Sequence, residues 1–241
     1  FIQLFGKVVF GVDDEKFNHV LNSAKKKQGV TDDSKLNVES LKKIVSEYKK
    51  ICEKHTKRKF PDTPDEQLVL SIEAVFKSWM GERAIVYREK NNITKDIANG
   101  TAVNIVTMVF GNMGDDSATG VVFTRNGSNG KKEIEGEYLI NAQGEDVVAG
   151  ARTGKSIELL KKDMPKSYKE LSNACAKLEK HFREPQDIEF TIEQGKFYLL
   201  QTRTAKMSAA ALVKTSVDMV KEKLIDKNRA LTRIPAQQLE A

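Results

Sequence analysis

The amino-acid sequence predicts an α+β protein, an antiparallel sheet with packed helices plus a small helical subdomain. Three observations support this fold class. Apolar residues recur at helical spacing through residues 12–90, and short apolar segments alternate with glycine-rich turns from Thr101 onward. Residues 186–203 (QDIEFTIEQGKFYLLQTR) alternate in period two on both sides of Glu193-Gln194-Gly195, which predicts a β-hairpin.

Three helices are predicted in the first part of the chain. One contains Phe17 and its apolar neighbours, and a second runs from Leu36 to His55 with Asn37 as its N-cap. After a break at two prolines, a third runs from about Asp65 to Trp79. Its apolar face is expected to point inward, and that face consists of Leu68, Ile72, Val75, Phe76 and Trp79.

The β-rich part is predicted from three apolar segments, AVNIVTMVF (102–110), VVFTR (121–125) and EIEGEYLINA (133–142). Two Asn-Gly pairs in residues 126–130 favour a tight hairpin between the last two. A helix is predicted over 156–181 with a break near Met164-Pro165, and another over 209–223. The predicted division is a helical subdomain at 1–90, a β-rich subdomain at 91–208, and a helix with a connection at 209–241.

Composition restricts the function classes. The chain has 241 residues, 39% hydrophobic and 31% charged, and its apolar runs are shorter than the roughly 20 residues that cross a bilayer, so a membrane protein is not expected. The net charge of +6 is compatible with a polyanionic partner. The basic runs lie at predicted helix ends without interleaved aromatic residues, which argues against nucleic acid.

Two cysteines without CxxC spacing and three dispersed histidines indicate buried thiols in a reducing compartment rather than a zinc site. We therefore expect the cytoplasm. The chain begins at Phe1 with a segment that does not resemble a signal peptide, and we expect it to be the middle of a longer polypeptide.

The predicted hairpin carries the most informative polar residues. Asp187 and Glu189 are two apart on one strand and share a face, while Gln201 and Arg203 share a parity on the other strand. Phe197 and Leu199 have the same parity and are expected to continue that face. Two carboxylates, an amide and a guanidinium suit Mg²⁺ and a nucleotide polyphosphate, and hence phosphoryl transfer. Spacing alone favours the alternative, a surface hairpin with exposed ion pairs.

Two loops are further candidates. The glycine-rich segment from Gly111 to Gly120 could present backbone N–H groups to phosphates, but it lacks the GxxxxGK[ST] pattern, and a flexible turn is the simpler interpretation. In the next loop Glu145 could accept hydrogen bonds from ribose hydroxyl groups, although for this residue considered singly the pattern favours a capping role. Met108 and Val109 could form an apolar shelf for an adenine.

Three segments together resemble the nucleotide-binding domain of the pyruvate, phosphate dikinase family. They are TMVFGNMGDDSATGVVFTRN, GEYLINAQGEDVVAGARTG and KLEKHFREPQDIEFTIEQGKFYLLQTR, and the helical AVFKSWMGERAIVYRE also fits. The resemblance implies an ATP-grasp fold. It also implies an enzyme that interconverts ATP, phosphate and pyruvate with AMP, pyrophosphate and phosphoenolpyruvate through a phosphohistidine on a swivelling domain of the same polypeptide.

By resemblance, Asp187, Glu189 and Gln201 bind the Mg²⁺ of the nucleotide, and Arg203 lies beside them. Further nucleotide contacts are implied for Glu145, for Met108 and Val109 at the adenine, and for Thr119 in the glycine loop at the phosphates. Val106 stands where the family pattern leads us to expect glutamine, which leaves no amide for the base there.

The resemblance places the phosphohistidine and the pyruvate-binding barrel outside these residues, so no catalytic residue is expected in this chain and it is expected to be inactive alone. It implies a homodimer for the intact enzyme, and a plastid or glycosome-like organelle as alternatives to the cytoplasm. Phosphoenolpyruvate synthase and glucan, water dikinase relatives remain alternatives, as does a non-catalytic interaction module.

Overall fold

The computed structural model describes residues 1–31, 33–148 and 153–236. The chain forms two compact units, Phe1–Val106 and Thr107–Ala241. The predicted division at residues 90 and 208 stays a prediction. Among the described residues, no helix is both long enough and apolar enough to span a bilayer.

The first unit is helical. Its helices are α1 (Ile2–Val8), α2 (Asp14–Gln28), α3 (Val38–Thr56), α4 (Pro64–Ser78) and α5 (Glu82–Lys90). The predicted N-cap of α3 is confirmed, because the Asn37 side chain accepts a hydrogen bond from the Ser40 N–H at 2.8 Å. The core of this unit lies between α1, α2 and α3, where Phe17 packs edge-on against Tyr48 at 4.9 Å between ring centroids.

Helix α4 forms as predicted, but the prediction that its apolar face points inward is wrong. Leu68, Val75 and Phe76 are exposed, Phe76 to 52%. The core cluster of this unit receives Leu70 from α4 instead, which lies on the opposite side of the helix. The physical reason is that residues from α1, α2 and α3, together with Phe60, already fill this core.

The second unit contains a five-stranded antiparallel sheet with the strand order β3-β2-β1-β4-β5. The elements follow the chain as β1 (Ala118–Phe123), β2 (Glu135–Ile140), α6 (Gly144–Val148), β3 (Lys155–Ser156), α7 (Leu160–Asp163), α8 (Pro165–Phe182), β4 (Gln186–Glu193), β5 (Lys196–Thr204), α9 (Ala209–Lys221) and α10 (Lys227–Thr232). The predicted break at Met164-Pro165 is confirmed, since Pro165 begins α8 where no backbone N–H is needed.

Two strand predictions are wrong in detail. Residues 101–110, all of which the structure describes, form no strand. The Phe110 N–H donates to the Glu193 carboxylate at 2.8 Å, and none of the five strands of the sheet pairs with this segment. Strands β1 and β2 do pair, but their connection spans 124–134 rather than a tight Asn-Gly turn. The Thr124 N–H donates to the Gln186 carbonyl at 2.9 Å and so continues the pairing with β4 by one residue. Inside the connection to β2 the Asn126 N–H donates to the Lys131 carbonyl at 2.9 Å.

One face of the sheet forms the core of the second unit. Val122, Tyr138, Ile188 and Phe190 project from this face and pack with residues of α7 and α8, among them Cys175, which is buried as expected. We call this the inner face and the opposite one the outer face. Because directly paired residues of antiparallel strands project to the same side, the register assigns every strand residue to one of the two faces.

Candidate functional site

The outer face of β4 carries the two carboxylates that the sequence singles out. Ile188 and Phe190 are fully buried on the inner face, so Asp187 and Glu189 between them point to the outer face. Their side chains are 22% and 37% exposed. They are therefore accessible from solvent and partly shielded from it.

A β-bulge brings Gln201 and Arg203 to the same face. The hairpin turn is Gln194-Gly195, two of the three residues predicted for it, with positive φ at both; Glu193 still pairs with Lys196 in the ladder. From that turn the pairing is regular up to Phe190–Leu199 and then shifts, so that Gln201 lies opposite Glu189 and Arg203 opposite Asp187. One extra residue on β5, Leu200, accounts for the shift.

The bulge corrects one prediction. Phe197 and Leu199 were expected to continue the face of Gln201 and Arg203, because all four have odd numbers. They pair instead with Ile192 and Phe190 on the inner face, and the Phe197 ring lies 5.8 Å from that of Phe190. Strict alternation fails here because the extra residue reverses the parity of the strand.

Charge complementarity organises the four side chains, which we call the outer-face quartet: Asp187, Glu189, Gln201 and Arg203. The Arg203 guanidinium donates to the Glu189 carboxylate, and its Nε lies 3.9 Å from Asp187 Oδ2. Two negative charges and one positive charge leave the quartet with one net negative charge. This local balance favours a cation despite the positive charge of the whole chain.

Asp187 has an unused acceptor. Its Oδ1 atom is buried and has no hydrogen-bond partner among the residues that the structure describes. A buried carboxylate oxygen without a partner is unfavourable, so such an atom in a native fold calls for a ligand or ion. The carboxylates of Asp187 and Glu189 with the amide oxygen of Gln201 could hold a hard divalent cation. No group of three or more His, Cys, Asp or Glu side chains converges for a metal in the described part of the chain.

Comparison with known proteins decides the family. A family model described as "Pyruvate phosphate dikinase, AMP/ATP-binding domain" matches residues 31–170 and 164–224. The chain belongs to this family. The predicted resemblance is thereby confirmed.

Curated relatives of this dikinase-family chain include pyruvate, phosphate dikinases from Entamoeba histolytica, 49% identical over 242 residues, and Clostridium symbiosum, 48% identical over 241. A chloroplastic pyruvate, phosphate dikinase 1 from Arabidopsis thaliana is 46% identical over 240 residues. Each match covers 100% of this chain but 27%, 27% and 25% of the relative. The chain thus spans about a quarter of the length of the curated relatives it matches.

In this dikinase-family fold, Thr119 lies in strand β1 and not in the glycine loop. It is buried on the outer face, where its hydroxyl donates to the Phe190 carbonyl at 3.2 Å and lies 3.3 Å from the Thr191 hydroxyl. The expected position in the loop is wrong because β1 begins at Ala118. The polar atom of Thr119 is already engaged in the sheet.

The glycine loop itself is held at the far end of the hairpin. The Gly195 N–H donates to the Asp116 carbonyl at 2.8 Å, and the Gln194 N–H donates to Ser117 Oγ at 2.9 Å. Asp187 is the second residue of β4, and the turn follows the other end of this strand, about 20 Å away at roughly 3.3 Å per residue. The structure therefore brings the quartet together and separates it from the loop.

The remaining predicted contacts lie elsewhere in the second unit. Met108 is exposed and Val109 half-buried, just before the Phe110 anchor on Glu193. Glu145 belongs to α6, which packs against β1 and β2, but its side chain lies outside what the structure describes. The roles of these three residues stay predictions.

The sequence reasoning missed a buried ion cluster beside the site. Arg125 is fully buried, and its guanidinium donates to both oxygens of Glu179 at 2.7 and 3.0 Å and to both oxygens of Glu222 at 3.1 and 2.8 Å. Burial alone would lower the pKa of Arg125, but the hydrogen bonds to the two glutamates raise it. The partners are 54 and 97 residues away, so no local pattern could reveal them.

Proposed function

We propose that this chain is an ATP-grasp nucleotide-binding domain that binds ATP with Mg²⁺, and that the intact polypeptide is a pyruvate, phosphate dikinase. The family membership supports the binding of an adenine nucleotide. The single observation that supports a bound cation is the outer-face quartet, in which a buried oxygen of Asp187 has no hydrogen-bond partner in the part of the chain that the structure describes.

The donor set fits Mg²⁺. This ion prefers oxygen ligands and commonly takes one or two carboxylates together with phosphate oxygens and waters. Asp187 and Glu189 supply the carboxylates, and Gln201 supplies a neutral oxygen. When bound, the ion neutralises charge on the polyphosphate.

Arg203 has a different role in this proposal. Its guanidinium holds the carboxylate of Glu189 in place, and its planar fork can also donate to a phosphate oxygen. We assign Glu145 to the ribose, and Met108 and Val109 to the adenine, on the strength of the family resemblance. We assign no phosphate contact to Thr119, because its hydroxyl is buried and engaged.

For the intact polypeptide we propose the dikinase reaction, in which ATP, phosphate and pyruvate are interconverted with AMP, pyrophosphate and phosphoenolpyruvate. A histidine on a swivelling domain of the same polypeptide carries the phosphoryl group, and the enzyme is a homodimer. The names of the curated relatives favour this reaction over that of the synthase and water dikinase alternatives.

The test is titration calorimetry of the full-length protein with ATP, in Mg²⁺ and in excess chelator. We expect Asp187→Asn and Glu189→Gln to weaken binding by about tenfold or more in Mg²⁺, because hydrogen bonds and contacts of charged groups contribute about 1.5–3 kcal/mol. In chelator the substitutions should change affinity much less. The matched control is Glu133→Gln, a carboxylate in the turn between β1 and β2.

Isotope exchange between ATP and AMP provides the second measurement. We expect exchange in the full-length protein and its loss in Asp187→Asn. Wild-type affinity for Mg²⁺ and ATP in both hairpin variants would show that the quartet is a surface ion-pair cluster and contradict the proposal.

A further inference from the structure

A buried hydrogen-bonded amide lies on the inner face directly behind the quartet. Gln186 precedes Asp187 and is 1% exposed, and both polar atoms of its side chain are hydrogen-bonded. Its Nε2 donates to the carbonyls of Glu184 and Pro185 at 3.1 and 3.2 Å, and its Oε1 accepts a hydrogen bond from Thr202 Oγ1 at 2.9 Å. The Gln186–Thr202 bond therefore joins β4 to β5 at the level of the site.

The other side of Gln186 is fixed to β1 and α8. Its backbone N–H donates to Thr124 Oγ1 at 2.9 Å, and that hydroxyl donates to Glu179 Oε1 at 3.2 Å. Arg125 in turn holds Glu179 with two hydrogen bonds. Gln186 is thus anchored on a buried cluster, and its Oε1 is a fixed point against which β5 can be aligned.

The Gln186–Thr202 bond is specific to the bulged register. If β5 continued regularly from the Gln194-Gly195 turn, Thr202 would lie opposite Asp187 and Arg203 opposite Gln186. The Thr202 hydroxyl would then project to the outer face, away from Gln186, and the Arg203 guanidinium would project toward the inner face. In the observed register Thr202 lies opposite Ile188 and faces inward.

We infer that Gln186 and Thr202 are positioning residues, whose hydrogen bond selects the bulged register and so holds Gln201 and Arg203 beside Asp187 and Glu189. The inference rests on the proposed function of the quartet. Thr202 suits this role because it is the residue between Gln201 and Arg203: when its side chain is fixed inward, both neighbours must point outward. A regular register would cost the quartet its amide and its guanidinium, and would leave Gln186 Oε1 buried without its donor.

The experiment compares three substitutions on β5 in the full-length protein. Thr202→Val removes the donor at nearly constant volume, and Thr202→Ser keeps it. Thr204→Val is the matched control, because Thr204 is on the same face of the same strand but is exposed, and its hydroxyl donates to the Glu184 carboxylate at 3.0 Å. We expect Thr202→Val to raise the Kd for ATP in Mg²⁺ by about five- to tenfold, the equivalent of one lost buried hydrogen bond. Thr202→Ser and Thr204→Val should stay within about twofold of the wild type.

A purely structural role predicts a different pattern, and a double variant separates the two. Gln186→Met with Thr202→Val removes both partners of this bond, so no side-chain acceptor is left unsatisfied, and part of the thermal stability lost in the single variant should return. Gln186→Met alone is measured beside it, because it also removes the Nε2 hydrogen bonds to the carbonyls of Glu184 and Pro185. We expect the Kd to remain raised in the double variant and the amides of residues 196–204 to exchange faster than in the wild type. Recovery of affinity together with stability would overturn the inference, as would wild-type affinity in Thr202→Val.

Asp187→Asn, measured alongside, distinguishes failure of this inference from failure of the proposed function. If Asp187→Asn weakens binding and Thr202→Val does not, the quartet is the site and the positioning role is wrong. If both variants bind as the wild type does, the proposed site itself is wrong, and the positioning role falls with it.

Discussion

Arg125→Met is expected to destabilise the second unit severely. The methionine fills similar space but removes four N–H donors from two carboxylates. Glu179 would be left 6% exposed with the Thr124 hydroxyl as its remaining donor in the described contacts. Breaking a buried ion pair from one side costs about 3–5 kcal/mol, which is roughly a fifth or more of the stability of a typical domain.

Hydrogen exchange of the full-length protein, read separately for each unit, is the assay. The opening free energy of amides in β1 and β4 should fall by about 3–5 kcal/mol in Arg125→Met, while amides of α3 in the first unit should be unaffected. Lys132→Met is the control, because Lys132 is 61% exposed and pairs with Glu222 at the surface, where a salt bridge contributes about 0–1 kcal/mol.

A second variant tests the contribution of the Glu179 carboxylate that is left without its cationic partner. Replacing Glu179 by Gln in the Arg125→Met background removes the uncompensated carboxylate, so part of the lost free energy should return. If Arg125→Met lowers the opening free energy of these amides by less than about 1 kcal/mol, the reasoning is refuted, because solvent would then reach Glu179 and the cluster would not be buried.

Three further predictions concern packing, pH and thiol reactivity. Gly111→Ala should destabilise the second unit by about 1–3 kcal/mol in denaturant titration, because a Cβ there would lie 2.3 Å from the Ala142 carbonyl oxygen, whereas Gly144→Ala, with open space around its Cβ, should not. Burial raises the pKa of Glu222, but hydrogen bonds from its two basic partners lower it below the ordinary 4.5. The stability that Glu222 contributes is therefore present above that pH and lost as pH falls through the folded-state pKa, so Glu222→Gln should flatten the acid side of a melting-temperature profile. Burial raises the pKa of the Cys175 thiol to about 12, so it should react with a thiol reagent at about pH 8 only after unfolding. Fast labelling of the native protein would contradict that burial.

Local signals carried most of the secondary structure. The Asn37 cap, the proline at the start of α8 and the Gln194-Gly195 turn are short-range features whose geometry follows from two or three neighbouring residues. Side-chain alternation likewise placed Asp187 and Glu189 on one face, since β4 is regular over that stretch. These predictions needed no knowledge of distant parts of the chain.

Predictions that depended on which element a segment packs against were less accurate. The apolar run before Phe110 does not become a strand, because strand propensity requires a neighbouring strand to complete its hydrogen bonds. The apolar face of α4 was predicted to be buried, but Leu68, Val75 and Phe76 on it are exposed, and the core of the first unit takes Leu70 from the other side of the helix. Periodicity shows that a face is apolar, but tertiary packing decides whether that face contacts the core or solvent.

The sequence by itself determined the family, the α+β class and the same-face pair of carboxylates, because each depends on residue order or on alternation within one strand. Only the tertiary structure decided that Gln201 and Arg203 join that pair, since one extra residue at Leu200 reverses the parity of β5. It also decided that Arg125, Glu179 and Glu222 meet in the interior. A bulge and a buried ion cluster both depend on chain segments far apart in sequence, and local patterns carry no information about such contacts.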